Sequence, residues 1–93
     1  MRFEWDANKA LLNVLKHKIS FREATEVFND PDAVEVYDTF HSTDETRFSL
    51  IGFSSRRLLF VVYTVRPTST IRLISARKAN QAERKIYERR INR

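Results

Sequence analysis

The chain has 93 residues, with 17 Lys and Arg against 12 Asp and Glu and no cysteine, so its formal net charge is +5. This length predicts a single domain over residues 1–93, and the lack of cysteine excludes disulfides, a thiolate nucleophile and a Cys-built zinc site. The positive charge favours polyanionic partners, and without a signal-peptide pattern or an apolar stretch of membrane-spanning length we expect a cytoplasmic protein with no membrane contact.

The first residues predict a short strand followed by a helix. Phe3-Glu4-Trp5 has strand character and ends at Asp6, a favourable helix N-cap residue. From Ala7 to about His17 apolar residues recur at helical spacing, which predicts an amphipathic helix. Its apolar side would carry Leu11, Val14 and Leu15, and its polar side would carry Lys9, Asn13 and Lys16.

A second helix is predicted to begin at Ser20. Ser20 and Glu23 have the spacing of a capping box, and Asn29-Asp30-Pro31 is a strong stop signal. The middle of the chain then alternates as strands do, with a short edge strand at 34–40, a polar loop, and longer strands at 47–53 and 58–65. The last of these is apolar except for Thr64, which is typical of a central strand.

The most informative segment is 71–79, Ile-Arg-Leu-Ile-Ser-Ala-Arg-Lys-Ala, which predicts a strand that leads into a helix. Asn80 and Glu83 again have capping-box spacing, so the helix should begin near Asn80. Helix N-termini present unpaired N–H groups, so the cations Arg77 and Lys78 just before one predict a phosphate site. The helix would direct Ala82, Ile86 and Tyr87 towards the sheet.

Together these elements predict an α+β fold, in which two N-terminal helices and one C-terminal helix pack on an antiparallel sheet of three to five strands. The remaining face of the sheet would be at least partly open. Because side chains alternate along a strand, Arg72 and Arg77 would lie on opposite faces of an unbroken strand. The two arginines can share a site only if the strand ends or bulges near Ser75.

A family pattern extends over nearly the whole chain. Its residues are Phe3-Glu4-Trp5-Asp6, Lys9, Asn13, Lys16-His17, Ser20-Phe21, Ala24, Phe28, Asp30, Asp38, His41, Glu45, Arg47, Gly52, Arg72–Ala79, Glu83-Arg84 and Tyr87. In order and spacing they resemble the BrnT family of type II toxins. The resemblance implies a RelE-like fold, a ribonuclease that inhibits translation, and a BrnA-type ribbon-helix-helix antitoxin. It also implies a complex of two toxins with two antitoxins, which would reach operator DNA through the antitoxin.

Two positions depart from the family pattern. The family usually reads Lys-His-Gly-Val-Ser-Phe, whereas residues 16–21 of this chain have Lys18 in place of the glycine. A non-glycine residue is strained at positive φ, so we expect mild strain or an altered turn at Lys18. The family also commonly carries an acidic residue where this chain has Val65, which weakens any role assigned to Arg66.

RNA can be cleaved without a metal or other cofactor when its 2′-hydroxyl attacks the adjacent phosphorus. A base must accept the hydroxyl proton, and cations must stabilise charge on the phosphate oxygens. Guanidinium groups suit the second task. The candidate catalytic cations are Arg77 and Arg72, followed by Arg47; the candidate bases are Glu45, His41 and His17; the candidate RNA contacts are Lys78, Arg66 and Lys16. The histidines are too far apart in sequence, and have too few partners, to predict a metal site.

Two functions from different classes stay open. In the first, the chain is a metal-independent endoribonuclease that cleaves mRNA and is held inactive by its antitoxin. In the second, it has lost cleavage and serves as an antitoxin-binding partner or transcriptional co-repressor. The presence of Arg72, Arg77 and Lys78 favours the first. A single-strand RNA-binding domain is disfavoured because most aromatic residues lie among apolar neighbours, not between basic ones.

Overall fold

A computed structural model describes residues 1–37 and 46–92 of the chain. The elements are, in chain order, β1 (Phe3–Glu4), α1 (Ala7–His17), α2 (Phe21–Thr25), a 3-10 helix (Glu26–Asn29), β2 (Val34–Tyr37), β3 (Phe48–Phe53), β4 (Leu58–Val65), β5 (Ile71–Lys78) and α3 (Gln81–Ile91). The predicted helices and strands are therefore confirmed, with the edge strand described as far as Tyr37. Predictions that fall on Asp38, His41 and Glu45 lie outside the described residues.

The ends of α1 follow from local sequence. The Asp6 carboxylate accepts a hydrogen bond from the Lys9 N–H at 2.9 Å and so caps the first turn. At the other end Lys18 adopts the left-handed conformation, with φ 62° and ψ 25°, and donates its N–H to the Val14 carbonyl. Of the two alternatives predicted at Lys18, a residue at positive φ is the one that the structure has.

The two predicted capping boxes have different outcomes. At α3 the box is complete, because Asn80 accepts from the Glu83 N–H and Glu83 accepts from the Asn80 N–H. At α2 only half of it forms: the Ser20 hydroxyl accepts from the Glu23 N–H at 3.0 Å. The Glu23 carboxylate turns instead to the Arg57 guanidinium, at 2.8 Å, because a charged partner binds a carboxylate more strongly than a backbone amide does.

The sheet has five strands in the order β1-β5-β4-β3-β2. The pairs β2–β3, β3–β4 and β4–β5 are antiparallel, but β1 lies parallel to β5, with Phe3 opposite Ile71 and Glu4 opposite Arg72. The predicted antiparallel sheet is thus wrong at this edge, and the sheet is mixed. The pairing joins the first strand in the sequence to the last, so no local pattern in the sequence signals it.

Helices cover both faces of the sheet. On the first face, buried residues of α2 and its flanking turns (Ile19, Phe21, Ala24 and Val27) pack against Leu50, Leu59, Val61 and Leu73. On the second face, Tyr87 of α3 packs with Ile51 and Leu58, and Phe60 lies beside them. The prediction implied that the helices share one face, whereas α3 lies on the face opposite α1 and α2 and covers part of that face.

The predicted division of α1 into an inward apolar side and an outward polar side is wrong. Its buried residue is Asn13, whereas Leu11 and Leu15 are 61% and 62% exposed and Val14 is 40% exposed. Asn13 faces inward because it hydrogen-bonds to the backbone of β5.

At α3 the prediction that Ala82, Ile86 and Tyr87 face the sheet is confirmed only for Tyr87, since Ala82 and Ile86 are exposed.

Candidate functional site

A bulge in β5 brings Arg72 and Arg77 to the same face of the sheet. Arg72 lies opposite Thr64 and Arg77 opposite Phe60, but the register shifts between them, so that Ile74 has no partner on β4. One extra residue changes the alternation of side chains, and both arginines therefore project from the second face. Because Arg72 and Arg77 are five residues apart, such an irregularity was required for the two side chains to lie on one face.

Arg77 is bound within the protein on three sides. Its two Nη atoms donate to the two carboxylate oxygens of Glu83 at 2.9 and 2.8 Å, and its guanidinium lies 4.4 Å from the centre of the Phe60 ring. Nη1 also donates to the Lys78 carbonyl at 3.1 Å. Since Glu83 belongs to the capping box of α3, Arg77 joins the start of that helix to the sheet, and its charge is balanced by a carboxylate.

Arg72 belongs to a cluster in which one carboxylate is shared by two guanidinium groups. Arg72 Nη1 lies 2.6 Å from Glu4 Oε2, and Arg66 Nε lies 3.3 Å from the same oxygen. We call Glu4, Arg66 and Arg72 the Glu4 cluster. Its side chains are between 34% and 49% exposed, and two positive charges against one negative leave it with a formal charge of +1. The Glu4 cluster is therefore a solvent-accessible cationic site that contains a carboxylate.

Glu4 was not among the residues that the sequence predicted for the site. Glu4 and Arg72 are 68 residues apart, and only the parallel pairing of β1 with β5 places them side by side. Arg66 reaches the same carboxylate from the residue after β4. The available signal was the Phe3-Glu4-Trp5-Asp6 part of the family pattern, which had no chemical role attached to it.

The other predicted site residues are more dispersed. Arg47 directly precedes β3 and is half-buried; Phe48 packs on the first face, so alternation places Arg47 on the second, with the two other arginines. Lys78 pairs with Leu59 and is exposed on the first face. Lys16 lies on α1 and lines a shallow cleft of about 190 Å³ with His17, Ile74 and Ser75, among others. The predicted site is thus divided between two faces.

Strongly hydrogen-bonded carboxyl groups away from these arginines hold the fold together. Arg57 lowers the pKa of Glu23 through a side-chain hydrogen bond, against the opposing effect of burial. Burial would raise the pKa of Asp30, but hydrogen bonds from the Phe53 N–H, the Tyr87 hydroxyl and a neighbouring backbone N–H outweigh it and lower that pKa. Burial of Tyr87 and its hydrogen bond to Asp30 raise the pKa of Tyr87 to about 12. Asp30 therefore ties α3 to the end of β3.

Within residues 1–37 and 46–92, no group of three or more His, Asp or Glu side chains is placed to hold a metal ion. Over the same residues, no helix has both the length and the apolar character needed to cross a membrane.

Comparisons with known proteins identify a family and a solved structure of similar fold. The family model described as ribonuclease toxin, BrnT, of type II toxin-antitoxin system matches residues 5–83. Among solved structures, the crystal structure of the Brucella abortus ribonuclease toxin, BrnT, superposes with a TM-score of 0.67 and 21% sequence identity. That alignment covers 87% of this chain and 99% of the Brucella chain. A search of curated proteins gave no significant match.

Proposed function

Because this chain belongs to the BrnT family of ribonuclease toxins of type II toxin–antitoxin systems, we propose that it is a metal-independent endoribonuclease that cleaves mRNA and thereby inhibits translation in the cytoplasm. The observation that carries the proposal is the Glu4 cluster, in which a carboxylate and two guanidinium groups lie together on an accessible edge of the sheet. RNA cleavage by internal attack needs these two kinds of group.

The first step is exchange of partners at Arg72 and Arg66. Both arginines are bound to Glu4 in the free protein. Ion pairs with this degree of exposure contribute only about 0–1 kcal/mol, so they are weak enough for an RNA phosphate to compete for the guanidinium groups. Binding of the phosphate would release the Glu4 carboxylate beside the scissile linkage. The same ion pairs thus hold the site in position before substrate arrives and open when it binds.

In the second step Glu4 accepts the proton of the ribose 2′-hydroxyl. The 2′-oxygen attacks the adjacent phosphorus, and Arg72 and Arg66 stabilise the charge that builds on the phosphate oxygens. The bond between phosphorus and the 5′-oxygen breaks, and that oxygen takes a proton from solvent. The products are a 2′,3′-cyclic phosphate and a 5′-hydroxyl, and no metal ion takes part.

We assign the other candidates to supporting roles. Arg77 is a positioning residue in this proposal, because Glu83 occupies both of its Nη atoms and Phe60 covers its face. Arg47 shares the second face and would bind a neighbouring phosphate. Lys78 and Lys16, both exposed, would attract RNA through general electrostatics.

The family also implies a partner, since a type II toxin is neutralised by an antitoxin. We propose a BrnA-type ribbon-helix-helix antitoxin and a complex of two toxins with two antitoxins, which binds operator DNA through the antitoxin. The net charge of +5 is consistent with a partner whose toxin-binding segment is acidic.

A second candidate function has one observation in its favour. Arg72 and Arg77 both have carboxylate partners within the protein, as expected of residues that serve only to hold the fold. In that case the chain would be a non-catalytic partner of the antitoxin and a co-repressor. An assay of RNA cleavage by the purified protein separates the two functions.

Purified protein should be incubated with a defined RNA in excess chelator, next to the variants Glu4→Gln, Arg72→Ala and Arg66→Ala. We expect cleavage by the wild type and a loss of roughly 100-fold or more for Glu4→Gln and Arg72→Ala, in line with removal of a general base or a charge-stabilising donor. Arg56→Ala is the matched control, because Arg56 is an exposed arginine in the β3–β4 turn.

The products and the metal dependence discriminate among the outcomes. A cyclic phosphate end would support internal attack. Cleavage that needs an added metal ion would contradict the mechanism, and no cleavage by correctly folded wild-type protein would favour the co-repressor. Full activity of Glu4→Gln would mean that the protein is a ribonuclease but that Glu4 is not its general base.

A further inference from the structure

Four large apolar side chains of α1 are exposed on a continuous surface. Leu11, Leu12, Val14 and Leu15, which we call the α1 stripe, are 61%, 62%, 40% and 62% exposed. Leu11 is three residues from Val14 and four from Leu15, and Leu12 is three from Leu15, so each adjoins another member on the helix surface. Soluble proteins normally scatter such residues singly, and a contiguous set marks an interaction surface.

The stripe is held rigidly. The opposite side of α1 packs on the protein through Ala10, against the core, and through Asn13, which is buried. The helix is capped at both ends, by Asp6 at its start and by Lys18 at its end. The stripe is therefore a preformed surface that can bind a partner with little ordering of its own side.

The charges around the stripe indicate what kind of partner fits it. Residues 7–22 contain four Lys or Arg and no Asp or Glu, and Lys9, Lys16 and Lys18 are exposed on α1 or at its end. A second copy of this chain would bring these lysines against one another, which opposes a symmetric contact through the stripe. An apolar segment with acidic flanks would instead have both its apolar and its charged groups matched.

We infer that the α1 stripe is the docking surface for an amphipathic helix of the antitoxin, with apolar residues at helical spacing and Asp or Glu on both flanks. This is the way in which a helix commonly binds an apolar surface on another protein. The inference rests on the antitoxin partner contained in the proposed function, but it does not require the ribonuclease mechanism.

The position of the stripe also accounts for inhibition. Leu12 and Lys16 line the cleft between α1 and β5, whose other wall includes Ile74 and Ser75. Ser75 lies on β5 between the two arginines of the second face. An acidic segment that continues from the stripe across this cleft reaches the strand that carries Arg72, where it would compete with RNA phosphate.

The test uses the full chain and a synthetic helical peptide of about three heptads with Leu at the a and d positions and Glu at e and g. A second peptide has Lys in place of every Glu. Binding is measured by fluorescence anisotropy for the wild type, for Leu11→Glu/Leu15→Glu, and for the charge reversal Lys9→Glu/Lys16→Glu. Ile91→Glu is the matched control, because Ile91 is 48% exposed on α3, far along the chain from the stripe.

We expect the acidic peptide to bind wild type and Ile91→Glu equally, and Leu11→Glu/Leu15→Glu roughly tenfold or more weakly, as for loss of central apolar contacts. The variant Lys9→Glu/Lys16→Glu should bind the Lys peptide more tightly than the acidic peptide. Absence of binding by the acidic peptide, or equal binding to all variants, would overturn the inference. So would a dimer of the free chain in light scattering that Leu11→Glu/Leu15→Glu abolishes, because the stripe would then bind a second copy.

RNA cleavage is measured on the same preparations, which keeps the two proposals separate. Selective binding of the acidic peptide by a wild type that does not cleave RNA would support the docking surface and contradict the ribonuclease. RNA cleavage by a wild type that does not bind the acidic peptide selectively would support the ribonuclease and contradict the docking surface. Leu11→Glu/Leu15→Glu should cleave RNA at the wild-type rate, since neither residue belongs to the Glu4 cluster.

Discussion

Asn13 of α1 and Ala76 of β5 exchange two hydrogen bonds. The Asn13 amide nitrogen donates to the Ala76 carbonyl at 2.8 Å, and the Ala76 N–H donates to the Asn13 amide oxygen at 3.1 Å. The same nitrogen also donates to the Ile19 carbonyl at 2.8 Å. β1 pairs with Ile71 and Arg72, and no strand within residues 1–37 and 46–92 lies beside the rest of this edge of β5. At Ala76 the Asn13 side chain therefore makes the hydrogen bonds that a neighbouring strand would make.

Replacement of Asn13 by Leu should destabilise the protein by about 2–4 kcal/mol, since buried backbone groups left without partners cost about 1–3 kcal/mol each. The free energy of unfolding in urea can be followed through the fluorescence of Trp5, the one tryptophan. Asn8→Ala on the exposed part of the same helix is the control and should change stability by less than about 1 kcal/mol. Equal effects of the two substitutions would contradict the edge-capping role.

Replacement of Lys18 by Gly should stabilise the protein by roughly 0.5–1 kcal/mol, because Lys18 adopts φ 62° and glycine occupies that region without a steric penalty. The side-chain contact that is lost is a 3.4 Å hydrogen bond on the surface, from Lys18 Nζ to the Leu15 carbonyl. Lys18→Ala removes the same contact and keeps the strain, so it should not stabilise. Thermal or urea unfolding of both variants gives the comparison, and stabilisation by alanine would show that strain is not the cause.

The pair Arg77 and Glu83 allows a positioning role to be separated from a direct one. If Arg77 acts by holding α3, then Arg77→Ala and Glu83→Gln should lower RNA cleavage to a similar extent. Both should increase hydrogen exchange in the first turns of α3, because each removes the bidentate contact. Arg84→Ala, an exposed arginine of the same helix, is the control for loss of charge.

A different outcome is expected if Arg77 binds phosphate directly. Glu83→Gln would then free the guanidinium and leave cleavage unchanged or faster, while Arg77→Ala would abolish it. That result would make Arg77 the leading candidate for phosphate binding, as its position just before α3 in the sequence suggested.

Replacement of Tyr87 by Phe should destabilise the protein by about 1.5–3 kcal/mol near neutral pH, the range for hydrogen bonds to charged groups. The Tyr87 hydroxyl lies 2.7 Å from Asp30 Oδ2. Burial and this carboxylate raise the pKa of Tyr87 from 10.0 to about 12. A raised folded-state pKa means that the contribution is fully present below pH 10 and is lost as the pH rises from 10 to 12.

The difference in unfolding free energy between wild type and Tyr87→Phe should therefore shrink between pH 10 and 12. It should also shrink in acid, because the pKa of Asp30 is lowered in the folded state, and its contribution is lost as the pH falls below its ordinary value of 3.8. Tyr63, whose pKa burial also raises, is present in both proteins and cancels in the comparison. A difference that does not vary with pH would contradict the charged hydrogen bond.

Much of the secondary structure was predictable because it depends on residues a few positions apart. The caps at Asp6 and Asn80 and the strand at 58–65 were found in this way. The same local reasoning failed at α1. Its periodicity predicted an apolar side, but not that Asn13, on the other side, would be the residue needed at the edge of β5.

The sequence by itself determined the family and the positions of most helices and strands, because these follow from a residue pattern or from neighbours along the chain. Only the tertiary structure decided that a bulge opposite Val62 and Tyr63 brings Arg72 and Arg77 to one face. It also decided that Glu4 lies beside Arg72 and that the Leu11 side of α1 faces outward. Register and packing join residues that are distant in sequence, so no local pattern could have specified them.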